Sequence, residues 1–177
     1  MKALTFNCIS LGLALTLNTA MAAQTCEGKS DTAKESEFTF PNGATDKTYH
    51  TTSGLEWSRC VVGQTWNAST STCDGEGERL TWQAALKMSK TYRVGNHTDW
   101  RLPNLKELVS LVQRKCVDPA IELTVFPATP SNSYWTSTPN TAATKKDEAW
   151  SVGFYNGRIE SRNKQQDYYV RMVRYAE

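Results

Sequence analysis

One short segment constrains the fold of this chain more than any other: residues 99–104, with the sequence Asp-Trp-Arg-Leu-Pro-Asn. Pro103 fixes its own φ and favours an extended backbone at Leu102, so the chain reaches this point in a straight conformation. Asn104 is a favoured N-cap residue, and Glu107 stands three positions later, where it completes a capping box. The segment therefore predicts a helix that starts directly after Asn104.

Two helices are predicted from apolar periodicity. After Asn104, apolar side chains recur at the spacing of one helix face, which predicts a helix over residues 105–115 that ends before Pro119. The residues of this face are Leu105, Leu108, Val109, Val112 and Cys116, so Cys116 should point inward. A first helix should start at the cap Thr81 and end at Gly95. Its inner face would consist of Trp82, Ala85, Leu86 and Tyr92.

Strand periodicity replaces helical periodicity in the last third of the chain, where Trp150, Val152 and Phe154 alternate with smaller or polar residues. The dipeptide 156–157, Asn-Gly, is typical of a type I′ hairpin, which would pair Tyr155 with Arg158 and Phe154 with Ile159. Further strands are predicted at residues 38–40, 55–57 and 168–174, with a turn at 41–43. The pattern predicts an α+β fold in which two helices pack on a mostly antiparallel sheet.

The first residues of the chain predict export. Lys2 precedes an apolar run over residues 3–17, and residues 20–22, Ala-Met-Ala, supply the small side chains of a cleavage site, so residues 1–22 are predicted to be a signal peptide. A membrane anchor is disfavoured because Asn7 and Ser10 interrupt a run shorter than the roughly 20 residues that a span requires. We therefore expect a periplasmic or secreted protein with no membrane span.

Charge and length limit the partners and the number of domains. The 177 residues include 20 Lys and Arg against 18 Asp and Glu, and removal of residues 1–22 takes away only Lys2. A nearly neutral chain is not typical of a nucleic-acid-binding protein, which carries a strongly basic domain or patch. The remaining length fits one domain, predicted over residues 38–177. A polar segment, residues 23–37, should precede it and be tethered by Cys26.

Four cysteines remain after removal of the signal peptide, an even number for an oxidising compartment. Cys60 and Cys73 enclose one loop rich in small polar residues, which favours their pairing and leaves Cys26 with Cys116. In the chain-entropy model the shorter loop contributes about 3 kcal/mol and the longer one somewhat over 4 kcal/mol. A zinc site is disfavoured, because paired C-x-x-C spacings are missing. We expect two disulfides, no metal and no other cofactor.

A series of ordered motifs over residues 43–174 resembles one known family. The motifs are Gly54-Leu55-Glu56-Trp57, Thr81-Trp82-Gln83-Ala84-Ala85-Leu86, Gly95 with residues 99–104, Lys106-Glu107-Leu108, Phe126-Pro127, Tyr134-Trp135-Thr136-Ser137, Ala149-Trp150-Ser151-Val152, Gly157 and Val170-Arg171-Met172-Val173-Arg174. Together they are similar to the collagen-like-adhesin C-terminal (Lcl C-terminal) domain family. This resemblance implies a C-type-lectin-like fold.

The resemblance also implies a function, because the best-known family member adheres to sulfated polysaccharides as a trimer below a collagen-like stalk. This chain has no Gly-X-Y repeat, so it lacks the collagen-like stalk that would enforce a trimer. A homo-oligomer is still an expectation from the resemblance. The chain also lacks the Glu-Pro-Asn or Gln-Pro-Asp motif of calcium-dependent lectins. The implied protein is an exported, non-catalytic module that binds a sulfated, acidic or other surface glycan.

Two other functions compete with glycan binding. The first is an interaction or assembly domain that binds a protein of the bacterial envelope. The more distant one is an enzyme of the hydrolase type that uses His97 and neighbouring carboxylates. No serine or cysteine stands beside His97 in a recognised nucleophile turn, which disfavours the enzyme.

Two surface features are candidate binding sites. The outer face of the terminal hairpin carries cations at even spacing, which can hold an extended anionic chain, although such alternation is also typical of a solvated strand face. Its residues are Tyr155, Arg158, Arg162 and Lys164. Trp66, in the loop between Cys60 and Cys73, is either a ligand platform or the small core of its own loop.

Trp100 and Arg101 have the chemistry of a sugar site, since an indole stacks on sugar faces and a guanidinium forks onto sulfate or carboxylate. A structural role is favoured, in which Trp100 fills the space between helices and sheet and Arg101 pairs with an internal carboxylate, Asp99 or Glu107. The full set of predicted structural residues is Trp57, Trp82, Asp99, Trp100, Arg101, Pro103, Glu107, Trp135, Trp150 and Arg171.

Overall fold

The computed structural model describes residues 23–28, 30–40, 43 and 45–176. The predicted signal peptide and most of the predicted turn at 41–43 lie outside the described residues. The strands are β1 (Thr25–Cys26), β2 (Phe38–Thr39), β3 (Lys47–His50), β4 (Leu55–Ser58), β5 (Thr65–Asn67), β6 (Thr72–Asp74), β7 (Arg79–Leu80), β8 (Cys116–Val117), β9 (Ser133–Pro139), β10 (Glu148–Gly153), β11 (Arg158–Asn163), β12 (Tyr168–Tyr169) and β13 (Val173–Tyr175). The helices are α1 (Trp82–Met88) and α2 (Leu105–Val109), with a 3-10 turn at Glu35–Glu37.

Strand pairing produces a small α+β fold that is mostly sheet. One sheet has the order β11-β10-β9-β12-β7, with a parallel contact between β9 and β12 and antiparallel contacts elsewhere. The other large sheet has the order β13-β4-β3-β2 and is antiparallel. Two smaller antiparallel pairs, β1–β8 and β5–β6, lie beside them. The predicted fold class, with two helices and a mostly antiparallel sheet, is confirmed.

Both predicted disulfides are present. Cys26 and Cys116 are cross-strand partners of β1 and β8 and are bonded to each other. Cys60 is bonded to Cys73, which lies on β6. The first bond joins the polar N-terminal segment to the rest of the domain, and the second closes the loop that contains Trp66.

The polar segment that follows Cys26 is held by hydrogen bonds as well as by its disulfide. The Thr32 hydroxyl donates to the Val112 carbonyl (2.8 Å), and the Gln113 side-chain amide donates to Asp31 Oδ1 (2.9 Å). These contacts dock the segment along the chain that leaves α2.

Adjacent residues of β9 point to opposite faces of the sheet and belong to two hydrophobic clusters. Tyr134 lies in the larger cluster, edge-on to Phe154 with ring centroids 4.9 Å apart, whereas Trp135 lies in the second cluster. The larger cluster also contains Trp57, Leu108, Leu111, Val112, Phe126, Val152 and Val173. The second contains Val62, Ala85, Trp100, Leu102, Ala149, Val170 and Met172. Burial on both faces explains why β9 lacks a simple alternation of apolar and polar residues.

The start of α2 matches the prediction. Asn104 Oδ1 accepts the Glu107 backbone N–H (3.0 Å), and Glu107 Oε2 accepts the Asn104 N–H (2.7 Å), which completes the capping box. The same carboxylate receives both Nη groups of Arg101, at 2.7 and 2.8 Å. One side chain therefore caps the helix and holds the preceding segment.

The predicted end of α2 at Lys115 is wrong, because the helix ends at Val109. The Gln113 N–H bonds to the Ala120 carbonyl (3.0 Å) and not to the preceding helical turn, so the chain bends toward β8. Cys116 is buried, as predicted, but it reaches the interior from a strand. The disulfide pairing of β8 with β1 replaces the last turns of the expected helix.

The first helix is also shorter than predicted. Thr81 caps α1 with its side-chain hydroxyl, as expected, but the helix ends at Met88 rather than at Gly95. The next turn brings Tyr92 edge-on to Trp100, with ring centroids 6.0 Å apart. Packing of this aromatic pair directs the chain away from the helix axis.

The hairpin between β10 and β11 differs from the predicted two-residue turn. Gly153 pairs with Arg158, so the loop spans residues 154–157, and the predicted pairs of Tyr155 with Arg158 and of Phe154 with Ile159 are wrong. Phe154 is fully buried in the larger cluster, whereas Ile159 is 48% exposed. Burial of the phenyl ring outweighs the local preference for a tight turn.

The predicted final strand over residues 168–174 is in fact two strands in different sheets. Tyr169 of β12 pairs with Tyr134, and Val173 of β13 pairs with Trp57. Residues 170–172 cross between the sheets, and Arg171 lies buried at the crossing. The imperfect alternation of this segment reflects its change of sheet.

A buried charge network joins segment 99–104 to the β13-β4-β3-β2 sheet. Glu56 pairs with Lys47 (Oε2–Nζ 2.9 Å) and with Arg174, whose Nε lies 2.9 Å from Asp99 Oδ1. The Arg174 side chain is 1% exposed, so the carboxylates of Glu56 and Asp99 are needed to balance its charge. Burial opposes ionisation of Glu56, but hydrogen bonds from Lys47 and Arg174 hold its pKa below the usual value.

Replacement of Glu56 by Gln should lower the free energy of unfolding by about 3 kcal/mol, because it removes a carboxylate that balances the buried guanidinium of Arg174. Urea denaturation followed by tryptophan fluorescence measures this loss. Asp31→Asn is the matched control, since Asp31 and its partner Lys115 are both substantially exposed. The control should change the stability by less than about 1 kcal/mol. Equal effects of the two variants would contradict the structural role of the network.

His50 predicts a pH dependence of stability. Its ring is 3% exposed, stacks on Phe38 at 4.6 Å and shares a hydrogen bond with the Ser53 hydroxyl, and burial lowers its pKa. The lowered pKa means that His50 binds its proton more tightly in the unfolded chain than in the folded one. Its contribution to the free energy of unfolding should therefore be fully present above about pH 6.5 and decrease as the pH drops toward the lowered pKa. His50→Gln should remove this component of the pH profile in urea denaturation. An unchanged profile between about pH 6.5 and 5 would exclude His50 as its source.

Candidate functional site

The stapled hairpin, defined here as residues 65–74, consists of β5, β6 and the turn between them. Trp66 is the cross-strand partner of Cys73, which is bonded to Cys60. The indole Nε1 of Trp66 donates to Thr45 Oγ1 (2.9 Å). A disulfide and a hydrogen bond therefore fix one aromatic ring on an otherwise polar loop.

Arg59 packs against the ring of Trp66. Its guanidinium carbon lies 4.0 Å from the Trp66 ring centroid and 4.7 Å from that of Phe40. Its Nε donates to the Val125 carbonyl (2.7 Å), and its Nη atoms donate to two more backbone carbonyls, at 2.9 and 3.0 Å. These acceptors are neutral, and the side chain forms no ion pair among the described residues. Burial lowers the pKa of Arg59, but a guanidinium stays charged in proteins.

Trp66 forms one wall of a cleft of about 320 Å³ between the stapled hairpin and the turn after α1. The lining residues are Asp46, Cys60, Gln64, Thr65, Trp66, Tyr92, Arg93, Val94 and Gly95. Arg93 is exposed, and its guanidinium donates to the carbonyls of Tyr92 (2.7 Å) and Lys90 (3.0 Å). No carboxylate neutralises Arg93 among the described residues. The lining of the cleft thus includes both an indole ring and an exposed guanidinium that backbone carbonyls hold in place.

Arg171 is a second buried cation that no carboxylate neutralises in the described part of the chain. Its Nη1 donates to the carbonyls of Ser58 (2.8 Å) and Arg59 (2.5 Å), and its Nη2 donates to Thr129 Oγ1 (2.7 Å). Its Nε has no hydrogen-bond partner there. Burial lowers the pKa of Arg171 to about 10, so the group is still charged at neutral pH. The charges of Arg59 and Arg171 make the region behind Trp66 electropositive.

The cations of the terminal hairpin do not form a continuous free stripe. Arg162 pairs with Glu160 (2.7 Å), and the Tyr155 hydroxyl donates to the same carboxylate (2.6 Å). Lys164 Nζ donates to a backbone carbonyl at 2.5 Å. Arg158 is exposed, and its side chain has no ion pair among the described residues. None of these residues lines the cleft beside Trp66.

The predicted structural residues mostly lie in the interior or in ion pairs. Trp57, Trp100, Trp135 and Arg171 are at most 1% exposed, whereas Trp82 and Trp150 are half-buried. Asp99, Arg101 and Glu107 form the ion pairs described above, and the Pro103 carbonyl accepts the Ser137 N–H (2.7 Å).

Sequence reasoning found Trp66 but missed Arg59 and Arg93. A weak signal was present for each, since Arg59 directly precedes a disulfide cysteine and Arg93 stands in the turn before Gly95. Neither signal predicts that Arg59 packs against Trp66 or that Arg93 lines the same cleft as Trp66, because both placements depend on the tertiary fold.

A larger groove of about 880 Å³ lies on the other side of the stapled hairpin. Gln64 lines both spaces, and its amide donates to the Ala128 carbonyl across the groove (3.2 Å). The charged residues of its lining are Glu76 and Asp118, and no Lys or Arg is among them. The groove therefore does not fit an anion.

His97, the candidate of the enzyme hypothesis, lies with its Nε2 3.0 Å from Lys47 Nζ, beside the buried charge network. Among residues 23–28, 30–40, 43 and 45–176, no group of three His, Cys, Asp or Glu side chains is arranged to hold a metal ion. In the same part of the chain, no helix is long and apolar enough to cross a bilayer.

A family model described as the Lcl C-terminal domain matches residues 46–174. The chain belongs to the Lcl C-terminal domain family. The match begins just before β3 and ends within β13, so the Lcl C-terminal domain includes the β11-β10-β9-β12-β7 sheet, most of the β13-β4-β3-β2 sheet and the cleft beside Trp66. Segment 23–45, with β1, β2 and Phe40, lies outside the matched range. A search of curated proteins finds no match.

Removal of the disulfide that closes the stapled hairpin should destabilise this Lcl C-terminal domain. Cys60→Ser with Cys73→Ser, at a separation of 13 residues, should cost about 3 kcal/mol in the chain-entropy model. Cys26→Ser with Cys116→Ser, at a separation of 90 residues, is the comparison and should cost over about 4 kcal/mol. Urea denaturation without reductant measures both, and an unchanged free energy of unfolding for the first pair would contradict a stabilising role of the Cys60–Cys73 bond.

Proposed function

We propose that this Lcl C-terminal domain is a non-catalytic module that binds an anionic polysaccharide in the cleft beside Trp66. The observation that carries the proposal is that Trp66, against which Arg59 packs, lines one cleft together with Arg93, and that neither arginine is neutralised by a carboxylate in the described residues.

The two kinds of group in the cleft recognise different parts of an acidic sugar. An indole presents an apolar face to the C–H groups of a sugar ring. Arg93 presents the planar donors that match sulfate or carboxylate, and backbone carbonyls hold it in place without neutralising it. Arg59 and Arg171 contribute long-range attraction from behind the indole.

Asp46 adds selectivity to this cleft, because it is the acidic residue of the lining. A negative group that approaches Asp46 is repelled, whereas one that approaches Arg93 is attracted. The arrangement favours a sugar with one anionic substituent directed to Arg93 and hydroxyl groups directed to Asp46.

Export fits this function. Two disulfides and the lack of a membrane-spanning helix in the described residues agree with an extracellular or periplasmic protein, and we propose that residues 1–22 are the cleaved signal peptide. The α+β fold with mostly antiparallel strands also supports a C-type-lectin-like assignment.

A protein of the bacterial envelope is the second candidate partner, and the larger groove favours it. Leu123, Pro130 and Tyr169 give the groove an apolar lining, and Glu76 and Asp118 give it negative charge. A basic or neutral peptide segment fits this chemistry better than an acidic glycan.

Retention on immobilised heparin or dextran sulfate tests the first candidate. The mature protein should be retained at low salt and released as the salt concentration rises, because salt screens the charge contacts that hold it on the column. Trp66→Ala should weaken binding about threefold to tenfold through loss of the ring contact. Arg93→Lys keeps the charge but loses the fork, so it should fall between wild type and Arg93→Ala. Arg114→Ala, at an exposed arginine outside the cleft, is the control.

Two results would contradict binding of a sulfated polysaccharide in the cleft beside Trp66. Flow-through of the wild-type protein at low salt would exclude sulfated polysaccharides as ligands. Loss of retention in Arg158→Glu and Arg162→Glu, with no effect of Trp66→Ala or Arg93→Ala, would move the site to the terminal hairpin.

A further inference from the structure

Two residues at the start of the described chain, Ala23 and Gln24, form part of the lining of the larger groove. The Gln24 side-chain amide donates to the carbonyls of Pro119 (2.6 Å) and Ile121 (2.7 Å), which fixes residue 24 beside the chain that follows β8. Two residues later, a disulfide joins β1 to β8. Hydrogen bonds and a covalent bond therefore hold the start of this segment in the groove.

The charged residues of the groove lining are both acidic, Asp118 and Glu76. Asp118 directly precedes Pro119, so it lies next to a residue that holds Gln24. Asp118 Oδ1 accepts a hydrogen bond from the Ser131 hydroxyl (2.7 Å), which orients the carboxylate and leaves its other oxygen as an acceptor. Neither carboxylate forms an ion pair in the described part of the chain. The groove therefore carries negative charge that no cation of its lining balances.

We infer that the larger groove binds the α-ammonium group of Ala23, which exists only after the signal peptide is removed. The inference rests on the proposed cleavage after Ala22 and not on glycan binding. Hydrolysis of the Ala22–Ala23 peptide bond consumes one water molecule and yields a carboxylate on Ala22 and, by transfer of the proton, an ammonium on Ala23. This group is mostly charged at neutral pH, since an α-amino group has a pKa of about 8. Before cleavage the same nitrogen is an uncharged amide.

The covalent attachment of the ammonium favours its docking. Attraction to exposed carboxylates is modest in water, so a free amine of a small peptide would bind them weakly. The Ala23 Cα atom, however, stays within about 3.8 Å of the Cα atom of Gln24, which is itself bonded in place. A tethered group has a much higher effective concentration at its site than a free one and loses less entropy on binding.

A docked N-terminus changes what the larger groove can bind. A protein partner with a basic segment has to compete with an ammonium group that is already attached to the domain. The mature chain therefore binds such a partner more weakly than a chain whose N-terminus is extended. Removal of the signal peptide thus supplies the groove with a positive charge from the same chain.

The reactivity of the α-amino group tests the inference with the exported, mature protein. Intact-mass analysis first identifies the N-terminal residue, and a start at any residue other than Ala23 would overturn the inference. An acylating reagent at about pH 7 then modifies the unprotonated amine, and mass spectrometry of the N-terminal peptide gives the rate. Nearby carboxylates raise the pKa of the amine and slow this reaction. The double variant Glu76→Gln, Asp118→Asn should react at least about threefold faster than wild type.

Two further variants complete the test. Glu27→Gln is the matched control and should react at the wild-type rate, because Glu27 is exposed and close to Ala23 but does not line the groove. A chain with Gly-Ser added before Ala23 moves the ammonium by up to about 7 Å and should react as fast as the double variant. Asp118→Asn does not put folding at risk, since residue 118 has a φ of 51°, which asparagine tolerates.

Equal rates for wild type, the extended chain and the double variant would overturn the inference. Failure of heparin retention would contradict the glycan proposal and leave these rates unchanged, because the cleft beside Trp66 does not include Ala23, Glu76 or Asp118.

Discussion

The position of segment 99–104 depends on one buried cation, Arg174, held between Glu56 and Asp99. A guanidinium that is 1% exposed needs anionic partners, and Asp99 supplies one of them only if its segment lies against β13. The backbone completes the contact, because Arg101 and Val173 exchange two hydrogen bonds, at 2.9 and 3.0 Å. The position of this segment also determines where α2 starts, because Glu107 both caps the helix and pairs with Arg101. The motif that identifies the family is therefore a structural junction of the Lcl C-terminal domain.

The arginines near the candidate site have neutral hydrogen-bond acceptors, in contrast to Arg174 in the buried charge network. Arg174 is balanced by carboxylates, whereas Arg59 and Arg171 donate to carbonyls and a hydroxyl. Neutral acceptors compensate the loss of water around a guanidinium but do not cancel its charge. A binding protein for anions benefits from this arrangement, because the remaining charge is available to a ligand at the surface. The stapled hairpin places Trp66 directly against Arg59, which combines that charge with an apolar face.

Local chemistry predicted the parts of this structure that depend on near neighbours. The capping box of Asn104 and Glu107, the cap Thr81 and both disulfides follow from spacing or residue type over short stretches or from elimination. The ends of both helices and the terminal hairpin did not follow, because they depend on distant contacts such as the pairing of β8 with β1 and the burial of Phe154. Trp66 was identifiable as an aromatic residue on a closed loop. Arg59 and Arg93 were not, because only the tertiary fold places Arg59 against the indole of Trp66 and Arg93 in the cleft beside it.

Nuclear magnetic resonance titration with a heparin oligosaccharide can locate the ligand on the chain as well as detect its binding. We predict that the indole Nε1–H signal of Trp66 and the side-chain Nε–H signal of Arg93 shift together and saturate at one ligand per chain. The backbone amides of β11 should stay unchanged at the same concentrations. Shifts confined to Arg158, Arg162 and Lys164, with the Trp66 signal unchanged, would rule out the cleft beside Trp66 and place recognition on the terminal hairpin.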